Sequence, residues 1–357
     1  PTVYTVDLRQ ELQEGNRSIF SRKLQELMTD RLNKGQQTIL FLNRRGYAGF
    51  VSCRSCGEVM KCPHCDVSLS EHKGGRLICH YCGYTQPMPK LCPKCGSKYI
   101  LGFKAGTQQI EEKLKELYPG VRTLRMDADT TRTKDSYEKI LSSFANGEAD
   151  VLIGTQMIVK GHDFPKVTLV GILAADLSLN ASDYRAGERT FQLLTQAVGR
   201  AGRGVLPGEA VIQTYQPDHY AITCAAAQDY ESFYQEEILY RELSGYPPVA
   251  HMLAVQIYGK EEENVKQLAL RLTDVVKSNM DFLSGKQKEQ SNKKIQVLGP
   301  APANISKIND IYRYVFYVKH AEYDVLVEVK DRLEETLRQW QPRQMSIQFD
   351  FDPVSVL

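Results

Sequence analysis

No apolar run in this 357-residue chain approaches the ~20 residues that a helix needs to cross a bilayer, which excludes a membrane-spanning helix. A signal peptide is missing as well, so neither secretion nor an oxidising compartment is expected. Net charge is close to nil, and +2 at pH 7 announces no polyanion partner through bulk electrostatics. Two motifs of nucleotide chemistry are also lacking, the G-x-x-x-x-G-K-[ST] phosphate loop and the D-E-x-x magnesium box. The pairs Gly259-Lys260 and Gly285-Lys286 have neither the upstream glycine spacing nor a following Ser or Thr, and they read as loop residues. What remains is a globular chain, 42% hydrophobic and 25% charged, long enough for two or three domains and expected to be soluble, reduced and cytoplasmic. It opens on Pro1 with no methionine, as a piece of a longer protein would.

Cysteine is what the sequence has, and it is concentrated. Eight of the nine cysteines form four C-x-x-C pairs: Cys53/Cys56, Cys62/Cys65, Cys79/Cys82 and Cys92/Cys95. Two sulfurs separated by two residues grip one ion from a tight turn, so four such turns supply two tetrahedral four-thiolate zinc sites. A disulfide framework would suit a small secreted chain instead. Thirteen residues separate Cys62/Cys65 from Cys79/Cys82, whose C-P-H-C-D and C-H-Y-C-G-Y turns look like the knuckles of a zinc ribbon joined by a short hairpin. Cys53, Cys56, Cys92 and Cys95 then close an outer site at its base, bringing the two ends of the insertion together on a host domain. Nested pairing is therefore expected. Sequential pairing would ask the five residues Gly57 to Lys61 to swing the second knuckle onto the same ion, and interleaved pairing stays open. His64, His72 and His80 are bystanders, because eight cysteines complete both shells. The module and its exit carry a net +5, which two tetrathiolate zinc centres reduce to about +1. Partner docking is thus as well supported as nucleic-acid binding.

Around this insertion, helix and strand alternate. Ser18 is placed to cap a helix carrying Phe20, Leu24, Leu27, Met28 and Leu32, with a buried strand at Thr38–Leu42. After the cysteines come a helix capped by Thr107, strand Val121–Met126, helix Lys134–Phe144, and strands Val151–Gly154 and Thr168–Ala174. Helix Arg185–Arg200 and strand Ala210–Tyr215 complete the set. The pattern predicts a parallel sheet with helices on both faces and the polar loops at the carboxyl ends of the strands.

Two segments carry chemistry. Gly154-Thr155-Gln156-Met157-Ile158-Val159-Lys160-Gly161-His162-Asp163 follows a strand directly, and Gln196-Ala197-Val198-Gly199-Arg200-Ala201-Gly202-Arg203 ends a helix. A guanidinium is always charged and forks onto phosphate oxygens, while the glycines let backbone approach closely. Q-x-x-G-R-x-G-R with an upstream G-T-Q-x-x-x-K-G-x-D resembles motifs VI and V of superfamily 2 helicases. With the eight-cysteine insertion after L-N-R-R-G-Y, essentially the whole chain is similar to the bacterial family of primosomal replication-restart helicases.

The resemblance implies Arg203 as arginine finger, Arg200 as its neighbour, and Gln196 holding nucleotide or coupling it to another lobe. It further implies that Gly161 and Asp163 sense nucleotide and that Thr155 and Gln156 touch a DNA phosphate. By the same resemblance, a first lobe would bring the phosphate loop and magnesium carboxylate, for ATP-dependent 3′ to 5′ unwinding at stalled forks and primosome assembly. The implied cofactors are two zinc ions, with ATP and magnesium in the whole enzyme. The implied partners are forked and single-stranded DNA, single-stranded DNA-binding protein and primosome proteins, for a nucleoid-associated monomer with no membrane partner.

Beyond Tyr215, a helical stretch from Tyr220 to Leu243 runs into the stiff break Gly245-Tyr246-Pro247-Pro248. Strand Met252–Tyr258, helix Glu262–Met280, strands Ile295–Leu298 and Tyr312–Val318, helix Tyr323–Trp340 and strand Ser346–Phe351 follow, a βαββαβ order that reads as a split β-α-β sandwich. The polar segment Ser284–Lys294, with four lysines, is expected to be a mobile linker. Tyr312, Tyr314, Phe316 and Tyr317 invite base stacking, but Tyr314 and Phe316 alternate to one face as a core demands. The expected fold is thus α/β: a RecA-like helicase lobe 2 (1–52 and 97–244) with an inserted two-zinc ribbon module (53–96), then an α+β domain (245–357) that the resemblance likens to ribosomal protein S10. Two other classes stay open: a zinc-dependent DNA- or protein-binding scaffold without catalytic role, and a different zinc-ribbon helicase or nuclease.

Overall fold

The computed structural model describes residues 1–42, 51–65, 67–72, 75–102, 106–127, 130–131, 134–155, 158, 163–181, 183–278 and 294–354. Its strands are β1 (Thr2–Asp7), β2 (Gln37–Phe41), β3 (Val51–Cys53), β4 (Ser70–His72), β5 (Arg76–Ile78), β6 (Thr85–Pro87), β7 (Ile100–Gly102), β8 (Thr123–Met126), β9 (Val151–Gly154), β10 (Val167–Ile172), β11 (Glu209–Thr214), β12 (His251–Gly259), β13 (Gln296–Ile308), β14 (Ile311–His320) and β15 (Met345–Phe351). Contacts divide the chain into two compact units: Pro1–Val59, Pro89–Ala181 and Arg185–Tyr234 form the first, and Met60–Met88, Ser182–Tyr184 and Gln235–Leu357 form the second. Among the described residues, no helix is long and apolar enough to cross a membrane.

The first unit is built on a six-stranded parallel sheet of order β1-β11-β10-β2-β9-β8. Its inner strands β2, β9 and β10 are buried along their whole length, and β11 all but Glu209, because both faces are covered, as a parallel sheet requires. Alternate residues go to opposite faces: Ile39, Phe41, Leu152, Val170 and Ile212 pack with helices Lys134–Ala145 and Ala186–Val198. Leu40, Val151, Ile153, Leu169 and Val211 pack with helices Arg22–Asn33 and Thr107–Leu117. The edge strand β1 escaped the sequence reading; it pairs with β11 from Thr2↔Glu209 to Asp7↔Thr214.

Several local expectations change. Ser21, not Ser18, caps the first long helix, its Oγ accepting from Leu24 N; Ser18 Oγ instead accepts from Phe20 N in the preceding turn. Thr107 is the first helical residue after Gly106, and its hydroxyl donates to Asp127 at 2.6 Å rather than capping. The stretch after Tyr220 is two helices, Tyr220–Ala227 and Tyr230–Ser244, broken where Gln228 turns left-handed and Asp229 accepts from Ser232 N.

In the second unit, β12, β13, β14 and β15 form an antiparallel sheet of order β13-β14-β12-β15. Helices Glu262–Ser278 and Tyr323–Trp340 cover one face, packing on Val255, Ile257, Phe316 and Val318. Each helix returns the chain to a strand with one other strand between, which is the split β-α-β arrangement. Tyr314 and Phe316 point into this core, whereas the equally buried Tyr317 points to the opposite face. The expected linker Ser284–Lys294 lies outside the described residues except for Lys294.

Candidate metal centres and arginine pair

Each C-x-x-C pair sits in a turn that aims both sulfurs inward. Cys53 N donates to Glu58 O, Cys62 N to Val67 O, Cys79 N to Tyr84 O and Cys92 N to Ser97 O, at 2.7 to 2.8 Å. The four turns converge in two groups, Cys53, Cys56, Cys92 and Cys95, and Cys62, Cys65, Cys79 and Cys82, with all ligand atoms of a group within 4.8 Å of one another. This is the nested order. Around the first group, β3 and β7 pair Val51 with Gly102 and Cys53 with Ile100, so the two ends of the insertion meet. Between the inner turns runs the hairpin β4-β5, and β6, after the second turn, pairs with β5 to complete a small three-stranded sheet.

The donor geometry suits a metal and not a disulfide. Sulfur separations are 3.6 Å for Cys53–Cys95 and Cys56–Cys92 and 3.5 Å for Cys62–Cys82. A disulfide needs about 2.05 Å. Four sulfurs on a zinc ion at about 2.3 Å stand roughly 3.8 Å apart, close to what is seen. Packed this tightly, the thiols cannot ionise independently. Hydrogen bonds to Cys62, Cys79 and Cys82 push the Cys65 thiol far up, and hydrogen bonds from Cys65, Cys79 and Cys82 hold Cys62 far down. In the outer group, burial helps to push Cys56 up to about 12. Four thiolates at either place therefore call for a cation.

The two groups belong to different units, which cysteine spacing did not reveal. The outer turn is pressed on the end of β11: Gly57 has φ +78°, and a Cβ there would stand 2.6 Å from Tyr215 O. The inner turn is pressed on β13, where a Cβ on Gly83 would stand 3.3 Å from Pro300 O. His72 and His80, expected as bystanders, face each other at 3.0 Å between their Nε2 atoms, outside both sulfur groups.

The second constellation is electrostatic. Asp163 accepts from Arg203 and lies 3.5 Å from the Arg200 guanidinium, so one carboxylate gathers both arginines. Arg203 Nε donates to Gly199 O at 2.8 Å, which folds its side chain back over the helix end. The loop that carries it is crowded: a Cβ on Gly204 would stand 2.5 Å from Pro165 O, and Gly202 N donates to Val167 O at 2.9 Å. Burial and the neighbouring Arg203 lower the Arg200 pKa, while Asp163 opposes them. Gln196 is exposed on the last turn of helix Ala186–Val198.

These groups lie at the amino ends of β10 and β11, not at the carboxyl ends. Helix Ala186–Val198 runs back against the strands, so its end and the segment before Val167 meet at the opposite ends of the strands. Thr155 does lie at the carboxyl end of β9, its N–H donating to Met126 O at 3.3 Å. The structure thus separates Thr155 from Asp163, Arg200 and Arg203. Gln156 and Gly161 lie outside the described residues.

Known families match in three consecutive blocks. A helicase conserved C-terminal domain model matches residues 91–205, the PriA DNA helicase Cys-rich region (CRR) domain matches 62–87, and the primosomal protein N C-terminal domain matches 242–354. Replication restart protein PriA of Bacillus subtilis is 44% identical over 359 residues, covering 100% of this chain and 43% of that protein. The protein of the same name from Synechocystis is 42% identical over 361 residues, with 100% and 42% covered. That of Treponema pallidum is 35% identical over 358 residues, with 100% and 52% covered. The chain spans about half the length, or somewhat less, of the curated relatives it matches.

Proposed function

The chain belongs to the PriA family of replication restart proteins, and from that premise we propose that it supplies the second helicase lobe, two zinc centres and the C-terminal domain of an ATP-dependent 3′ to 5′ DNA helicase. That enzyme would act at stalled or branched forks and start primosome assembly, with forked and single-stranded DNA, single-stranded DNA-binding protein and primosome proteins as partners. The observation that carries the reading is the gathering of Arg200 and Arg203 on Asp163 at the amino ends of β10 and β11. When ATP and magnesium are bound by a first lobe, Arg203 would exchange the Asp163 carboxylate for a γ-phosphate oxygen, with Arg200 beside it. Asp163 holds the guanidinium in place until then. Thr155, at the other end of the strands, would face a DNA phosphate, which keeps the two anionic ligands apart.

The test compares the whole protein with the 357-residue chain alone. DNA should stimulate ATP hydrolysis by the whole protein, whereas the chain alone, with neither phosphate loop nor D-E-x-x box, should show no turnover above background at any DNA length. Robust hydrolysis by the chain alone would overturn the assignment.

Zinc is the metal that four thiolates select in a closed tetrahedral site. We infer that Cys53, Cys56, Cys92 and Cys95 hold one ion and Cys62, Cys65, Cys79 and Cys82 the other. Elemental analysis of the purified chain should find about two zinc ions, with Zn–S near ~2.3 Å by X-ray absorption. A single ion per chain, or Cys–Cys bonds in a non-reducing digest, would refute it.

A further inference from the structure

The inner cysteine group shares a compact unit with the C-terminal domain, and its packing there is aromatic. Tyr81, between Cys79 and Cys82, is fully buried. Its ring stands edge-on to Tyr317 of β14 at 5.1 Å and tilted against Tyr246 at 6.2 Å. Its hydroxyl accepts from Tyr184 N at 3.2 Å, and the Tyr184 ring stacks on Tyr246 at 4.8 Å. Tyr246 in turn donates its hydroxyl to Cys65 O at 3.3 Å. Beside Tyr81, His80 Nδ1 lies 3.0 Å from Pro302 O, and a Cβ on Gly299 would stand 3.1 Å from Tyr81 O.

A charge completes this packing. Lys319 of β14 is 6% exposed, with its ammonium 3.9 Å from the Tyr246 ring centre and donating to Ser244 O at 2.7 Å. The ring face attracts the ammonium and the carbonyl accepts from it, which together offset part of the cost of burying a cation. Burial lowers the Lys319 pKa to about 8.

We propose that the inner metal site is the fastener of the C-terminal domain, with Tyr81 as the key that seats its knuckle on the Tyr317 face of the sheet. This rests on the reading that the inner cysteines hold zinc. A knuckle built to read nucleic acid would present its central aromatic ring to solvent; this one buries it in its own chain.

Trp340, the single tryptophan, reports on the outcome because it lies at the end of helix Tyr323–Trp340, with the Arg271 guanidinium 4.0 Å from its ring. In thermal unfolding followed by its fluorescence, Cys62→Ser should lower the midpoint by about 5 °C or more, and Cys53→Ser should leave it near wild type. Tyr81→Leu should lower it while the chain keeps both zinc ions. Equal midpoints for Cys62→Ser and Cys53→Ser, or a wild-type midpoint for Tyr81→Leu, would overturn the proposal. The zinc content of the unaltered chain tests the metal reading separately.

Discussion

Arg203→Ala in the whole protein should lower DNA-stimulated ATP turnover by about 10³-fold or more, the scale on which arginine fingers act in phosphoryl transfer. The loss should not come from unfolding. Arg203 is 39% exposed and its partner Asp163 67% exposed, and an ion pair so open to water stabilises a fold by about 1 kcal/mol at most. Arg203→Lys should restore little, because an ammonium cannot span two phosphoryl oxygens as the guanidinium fork does. DNA affinity without nucleotide should barely move, since the expected DNA contact at Thr155 lies at the other end of the strands. A variant that keeps ATPase activity and loses DNA binding would place Arg203 on the DNA and pass the finger role to Arg200.

The part of this site legible in the sequence was its chemistry, and the illegible part was its place. Spacing alone put Arg200 and Arg203 at the end of a helix, because apolar residues at helical period stop at Val198. Which end of the sheet that helix reaches depends on strand order, and the usual rule about carboxyl ends described Thr155 but not the arginines. β1 was missed because Thr2–Asp7 does not alternate strictly, and six residues before a short helix give little periodicity to weigh. The C-terminal order of strands and helices was readable because Val255, Ile257, Phe316 and Val318 keep a period of two and the helices keep theirs. Tyr81 and Lys319 were not. A tyrosine inside C-H-Y-C looks like any residue in a turn until the sheet it rests on is known, and a lysine between Val318 and His320 looks exposed.

The pairing of the cysteines leads to a result that is nearly all-or-none. Structural zinc in four-thiolate sites is held by about 10 to 16 kcal/mol at neutral pH, and one ligand lost from a closed shell removes much of it. With the sulfur groups nested as they are, Cys62→Ser should leave about one zinc per chain, retained by Cys53, Cys56, Cys92 and Cys95. Adding Cys79→Ser should change nothing further, because both cysteines serve one ion. Adding Cys53→Ser instead should bring the count to about zero. The independence has a structural source: the outer turn rests on the end of β11 and the inner turn on β13, in separate compact units, so emptying one site leaves the support of the other in place. Interleaved sites would behave otherwise, since Cys62→Ser and Cys79→Ser would then strike different ions and the pair would empty both. Zinc released stepwise to a chelator from the three variants separates the two outcomes without any need for activity.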